Sequence, residues 1–190
     1  MKFVQRLERA WAAGDTLLCV GLDPDPARLP KHLAGADNSM FEFGRAIVDA
    51  TADLVCAFKL QIAYYAAARA EHQLEMTIAH IRRRHPGIPV ILDAKRGDIG
   101  STAEMYAREA FERYRADAVT VNPYLGFDAL APFLAYADKG VIVLCRTSNP
   151  GAREVQDIES KGRKLYQIIA EKAARDSSIT MPKEPSVVST

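Results

Sequence analysis

The chain has 190 residues, 48% of them hydrophobic and 26% charged, with 25 Lys+Arg against 24 Asp+Glu. That is enough apolar material for one sizeable folded core. A net charge of +1 excludes a strongly basic nucleic-acid binder and an acidic disordered chain, and no apolar run approaches the roughly 18–20 residues of a membrane span, so neither nucleic acid nor membrane is an expected partner.

In chain order, Met1 to Arg9 reads as an amphipathic helix, since it lacks the apolar run of a signal peptide. Thr16 to Leu22 is a buried-strand run stopped by Asp23-Pro24. Ser39 to Ala52 reads as a helix, with Ser39 as N-cap and Glu42 three residues on as its capping-box partner. Asp53 to Leu60 is a second strand. Ala63 to Arg84 is helical, with Leu74, Ile78 and Ile81 at spacings of four and three. Pro86-Gly87 ends that helix, and Ile88 to Asp93 gives a third strand. Ser101-Thr102-Ala103-Glu104 opens a helix running to Tyr114. Asp117 to Val121 is a fourth strand, Phe127 to Tyr136 a further helix, Gly140 to Cys145 a fifth strand, and Ser160 to Ala174 a last helix. Residues 175–190, with two prolines and four serines, read as a polar, disordered tail.

Strand then helix, five times over, specifies an α/β fold with a parallel sheet. A doubly wound sheet and a (β/α)8 barrel both fit, although no glycine-rich phosphate loop follows any strand, which weakens the nucleotide-binding sheets. Cys19, Cys56 and Cys145 are odd in number, form no C-x-x-C and sit among apolar residues; core thiols of a reduced, cytoplasmic protein are expected. The four histidines make no ligand pattern along the chain with nearby acids or cysteines, so no metal site is expected.

The informative residues end the strands. By period two, Cys19, Gly21 and Asp23 share one face, as do Val55, Ala57 and Lys59, and Ile91, Asp93 and Lys95. Three strands therefore send an acid or a lysine out at their C-terminal ends, where sites form in parallel α/β folds. Asp98 follows, giving Asp93-x-Lys95-x-x-Asp98. Charges converging from separate strands are costly unless paired, and alternating Lys and Asp hold one another ionised.

The run Leu92-Asp93-Ala94-Lys95-Arg96-Gly97-Asp98-Ile99-Gly100-Ser101-Thr102-Ala103 resembles the active-site signature of orotidine 5'-phosphate decarboxylases, in the bacterial subgroup with longer loops. Val20-Gly21-Leu22-Asp23-Pro24, Phe58-Lys59-Leu60-Gln61, Val121-Asn122-Pro123-Tyr124-Leu125-Gly126 and Thr147-Ser148-Asn149-Pro150-Gly151-Ala152 match in order. The resemblance implies a (β/α)8 barrel and a carboxy-lyase that converts orotidine 5'-monophosphate to UMP and carbon dioxide with neither metal nor organic cofactor. It further implies that Asp23 contacts the ribose hydroxyls and that Lys59 bridges ribose and the acid network. Asp93 would lie beside the substrate carboxylate, and Lys95 would protonate C6. Asp98 and Thr102 would act in a neighbouring subunit's site, making the protein a homodimer with shared active sites, and Ser148 would contact the pyrimidine.

The resemblance extends over residues 1–174 and five strand–helix units. A partial barrel is therefore expected over 1–174, truncated before the family's phosphate-gripping glycine loop, closing-loop glutamine and phosphate-binding arginine. A truncated, inactive remnant is one alternative reading. A magnesium-dependent sugar-phosphate decarboxylase or aldolase of the same superfamily, with Asp-x-Lys-x-x-Asp on its third strand, is another.

Overall fold

The computed structural model describes residues 1–175, so the expected tail falls, except for Arg175, outside the described residues. The described residues form two compact units that divide after Leu144.

The first unit carries all five expected strands: β1 Cys19–Leu22, β2 Ala57–Gln61, β3 Val90–Arg96, β4 Ala118–Val121 and β5 Gly140–Val143. They pair in parallel, in the order β1-β2-β3-β4-β5. This order decides between the two architectures that the sequence leaves open. A doubly wound sheet reverses its strand order at a switch point, whereas a barrel wall adds each strand beside the last. The fold is a five-strand part of a (β/α) barrel.

Alternation divides the two faces of the sheet. Leu22, Phe58, Leu60, Val90, Leu92, Val119 and Val121 are buried in one core cluster with Val48, Leu74, Ile78, Ile81 and Phe133 of the helical layer. Gly21, Lys59 and Ile91 are register partners on the other face. Cys56 is buried, but Cys19 is exposed rather than a core thiol. It lies on β1, at one edge of the sheet, where it pairs with β2 alone among the described residues.

The helices are α1 Phe3–Gly14, α2 Ser39–Thr51, α3 Ile62–Ala67, α4 Glu71–Arg84, α5 Gly100–Arg108 and α6 Ala131–Leu134. The expected capping box on α2 does not form. Ser39 is already the first helical residue, Asn38 precedes it in a left-handed conformation, and Glu42 binds Arg45 instead. The single helix expected over 63–84 is two. Arg69 adopts φ 53°, and its N–H and that of Ala70 donate to the carbonyls of Ala66 and Tyr65. That is a Schellman ending with arginine in the place usually taken by glycine, which hides the break in the sequence. The helix expected to reach Tyr114 becomes a π-helical turn over Glu109–Arg113.

The second unit contains α7 Ala152–Val155, a two-stranded antiparallel ribbon (β6 Glu159–Ser160, β7 Arg163–Lys164) and α8 Leu165–Arg175. The last helix therefore starts at Leu165, not Ser160. Lys161 and Gly162, both at positive φ, form the two-residue hairpin turn that the ribbon's twist requires. No described helix is long and apolar enough to cross a membrane.

Candidate active site

Asp93 lies at the centre of the inner face, 6% exposed near the C-terminal end of β3. Its Oδ1 accepts hydrogen bonds from Lys95 Nζ at 2.6 Å and Thr120 Oγ1 at 2.8 Å, and its Oδ2 from Lys59 Nζ at 3.1 Å. Lys59 Nζ also stands 3.9 Å from Asp23 Oδ1. The structure thus joins Asp23, Lys59, Asp93 and Lys95, from three strand ends, into one alternating chain of charge. Burial pushes the Asp93 carboxyl up, but the hydrogen bonds from Lys95, Thr120 and Lys59, with the charge of Lys59, outweigh it and hold the group below the usual carboxylate range.

Simple alternation does not by itself account for the position of Lys95. The β3–β4 register shifts between Leu92 and Arg96, and Lys95 takes φ 49°. Its left-handed backbone is held by Thr120, whose Oγ1 accepts from the N–H groups of Ala94 at 3.0 Å and Lys95 at 2.9 Å while donating to Asp93. A non-glycine residue in this region is strained, and such strain gathers where a side chain must be aimed. Thr120 therefore sets both the carboxylate and the lysine beside it, and it is absent from the sequence-based candidates. Its only signal is a hydroxyl in the apolar run Ala118-Val119-Thr120-Val121, and threonine is a common strand former.

The residues after Lys95 secure the loop. Arg96 turns away, clasping Glu109 at 2.8 Å and lying 4.5 Å over the Tyr106 ring. Gly97 passes so close to Asn122 that an added Cβ would lie 3.0 Å from its carbonyl oxygen. Asp98 is not drawn into the charged chain. Its Oδ1 accepts from the Ile99 N–H at 2.8 Å, and Thr102, on the first turn of α5, is exposed. Ser148 belongs to the second unit and is exposed, beside a loop tied by Thr147, whose N–H donates to Gln156 Oε1 at 2.7 Å.

A buried carboxylate flanked by two partly exposed ammonium groups can bind an anionic substrate, place it and deliver a proton to it. Comparison with known proteins identifies the lineage of this arrangement. Residues 16–182 match the sequence model of the Orotidine 5'-phosphate decarboxylase / HUMPS family. The chain belongs to that family. It is 66% identical over 173 residues to the orotidine 5'-phosphate decarboxylase of Ralstonia pickettii, covering 91% of this chain and 64% of that one. The decarboxylase of Dechloromonas aromatica is also 66% identical, over 92% of this chain and 64% of its own. The solved OMP decarboxylase of Leishmania donovani superposes with a TM-score of 0.79 at 37% identity, covering 91% of this chain and 65% of that one. The chain therefore spans just under two thirds of the length of these decarboxylases, and its partial (β/α) barrel is the barrel of this family.

Proposed function

We propose that this chain carries the catalytic face of an orotidine 5'-monophosphate decarboxylase, with Lys95 as the proton donor to C6. The observation that carries the reading is the chain Asp23–Lys59–Asp93–Lys95 at the C-terminal ends of β1, β2 and β3. The similarity to named decarboxylases supports it.

Direct loss of carbon dioxide leaves a carbanion on a ring carbon with little delocalisation. The largest enzymatic accelerations correspond to roughly 20 kcal/mol or more. Repulsion between Asp93 and a substrate carboxylate at about 4 Å amounts to roughly 4 kcal/mol at an effective dielectric near 20. Repulsion is therefore too small to be the main effect. A fixed ammonium at Lys95 stabilises negative charge as it develops at C6 and then neutralises it by proton transfer. Asp93, kept ionised, fixes that ammonium in place. In this reading Lys59 spans ribose and carboxylate, Asp23 binds ribose hydroxyls and Ser148 contacts the pyrimidine. Asp98 and Thr102, outside the charged chain, serve the site of a second subunit in a cytoplasmic homodimer.

The test is loss of orotidine 5'-monophosphate absorbance with the purified chain. The same assay is run on a chimaera that adds the part of the Ralstonia pickettii relative this chain does not span. Turnover that resists chelator and disappears in Lys95→Ala supports the reading. Turnover that requires added magnesium favours the sugar-phosphate chemistry of the wider superfamily. Mixing Asp98→Ala with Lys95→Ala tests the shared site: after subunit exchange, roughly a quarter of full activity returns if each hybrid dimer holds one intact composite site. No recovery assigns Asp98 to its own chain.

A further inference from the structure

A second group of ionisable side chains sits in the helical layer. Asp49 lies on α2, His80 on α4, and His85 directly follows α4. His80 Nε2 is 2.6 Å from Asp49 Oδ1, and His85 Nε2 is 3.5 Å from the same oxygen. One donor atom from each residue lies within 4.8 Å of the other two. His80 and Asp49 are 31 positions apart, so no local spacing announces the group.

Three features distinguish it from an ordinary surface ion pair. First, His85 Nε2 is buried and makes no hydrogen bond within ordinary limits among the described residues, its contact with Asp49 being 3.5 Å long. A buried imidazole nitrogen without a partner is costly, and an electron-pair acceptor would satisfy it. Second, the rings are held by packing. His80 is 6% exposed, with Phe41 and His85 both set edge-on to it at 6.3 Å. Third, the Asp49 side chain is 44% exposed and that of His85 26%, so the carboxylate and one ring meet solvent. Arg45, one turn earlier on α2, is occupied by Glu42.

We infer that Asp49, His80 and His85 form a zinc-binding site that ties the end of α2 to the end of α4, with water as the fourth ligand. Tetrahedral zinc at about 2.0–2.2 Å from each N or O donor holds neighbouring donors roughly 3.3–3.5 Å apart. The His85–Asp49 separation of 3.5 Å already matches that spacing, and the His80–Asp49 contact of 2.6 Å is shorter. A small side-chain rotation opens the 2.6 Å contact, and the ion takes the place of the direct His80–Asp49 hydrogen bond.

The experiment uses the whole 190-residue chain, stripped with chelator and titrated with zinc by calorimetry and with cobalt(II) by absorption. One equivalent is expected to bind, with the visible bands of tetrahedral cobalt, no thiolate charge-transfer band and a rise in Tm. His85→Gln and Asp49→Ala are each expected to weaken zinc binding by about a hundredfold or more, since even partners beyond the ligands contribute 10–100-fold. The exposed His32→Gln serves as the unaffected control. Circular dichroism establishes that the variants are folded, and Asp49→Ala, at a half-exposed helical position, keeps the test valid if His85→Gln is not. Absence of saturable binding, binding unchanged in the folded variants, or a thiolate band placing the ion on a cysteine would each overturn the inference.

Discussion

Two buried carboxylates hold opposite ends of the sheet, and each is flanked by two cations. Asp117, just before β4, is 3% exposed; it accepts from the Val90 N–H at 2.9 Å and pairs with Arg6 at 3.1 Å and Arg82 at 3.4 Å. Asp93, at the other end, is 6% exposed and pairs with Lys59 and Lys95. The difference lies in the partners. Asp117 is committed to a main-chain N–H and to arginines from α1 and α4, while the Arg82 guanidinium also donates to the Arg115 carbonyl at 2.8 Å. Its bonds join strand entrances to helices. Among the described residues Asp93 instead accepts only from side chains, and its lysines come from β2 and from a strained residue of β3. Lys95 remains 46% exposed, and among the described residues its ammonium bonds Asp93 alone. The same motif of acid between cations serves as a fastener where its partners are arginine and backbone, and in the proposed function it serves as a reagent where they are lysines facing open space.

The largest expected effect is at the reagent end. On the proposed function, Lys95→Ala in the chimaera removes the proton donor and the charge that stabilises a carbanion, so its decarboxylation falls by about four orders of magnitude or more. Urea unfolding changes by less than about 1 kcal/mol, because the pair is only partly buried. Turnover near the wild-type value would break the contrast at once. Asp117→Ala is expected to do the reverse. It leaves a buried backbone N–H and two partly exposed arginines without their acceptor, lowering stability by about 2 kcal/mol. Activity per folded molecule is retained. Equilibrium unfolding monitored with turnover on the same samples separates the two outcomes.

Thr120→Val is expected to give an intermediate effect that touches both properties. The change leaves the N–H groups of Ala94 and Lys95 without their acceptor, at roughly 2 kcal/mol in stability. Turnover falls about tenfold as the Lys95 ammonium loses its aim. The loss is in kcat rather than KM, and Thr120→Ser restores it. A KM effect alone would make Thr120 part of the substrate pocket rather than a support for Lys95.

The parts legible in the sequence are those governed by simple periodicity. Alternation along β1, β2 and β3 places Asp23, Lys59 and Asp93 on one face, and the structure joins all three, because parallel strands in register bring their C-terminal ends together. Five continuously apolar runs mark the strands for the same reason. What is hidden depends on conformations that have no strong residue signature. Arg69, Lys95 and Lys161 adopt positive φ without being glycine, so a helix break, a bulge and a hairpin turn pass unannounced. Thr120 is hidden because a buried hydroxyl in an apolar strand shows its purpose only when its three partners are seen. Asp49, His80 and His85 are hidden because two helices must pack before the group exists.

The smallest expected effect is a pH dependence that belongs to the reagent end. Asp93 titrates below its ordinary value because its hydrogen bonds, from Lys95 first, outweigh burial. A carboxylate depressed in the folded state stabilises that state at pH values above its unfolded pKa, near 3.9, and the contribution is lost as the pH falls through the lower folded value. The stability difference between wild type and Asp93→Asn should therefore be constant from about pH 7 to about pH 5 and shrink below about pH 4. Urea midpoints of the two proteins, measured across that range, give the difference directly. The remaining carboxylates titrate in both proteins and cancel in the comparison, which isolates the one group that differs. A difference that grows on acidification would mean that Asp93 is bound more weakly as an anion than as an acid. The two lysines would then not hold it ionised, and the distinction between a fastening and a reacting carboxylate would lose its electrostatic basis.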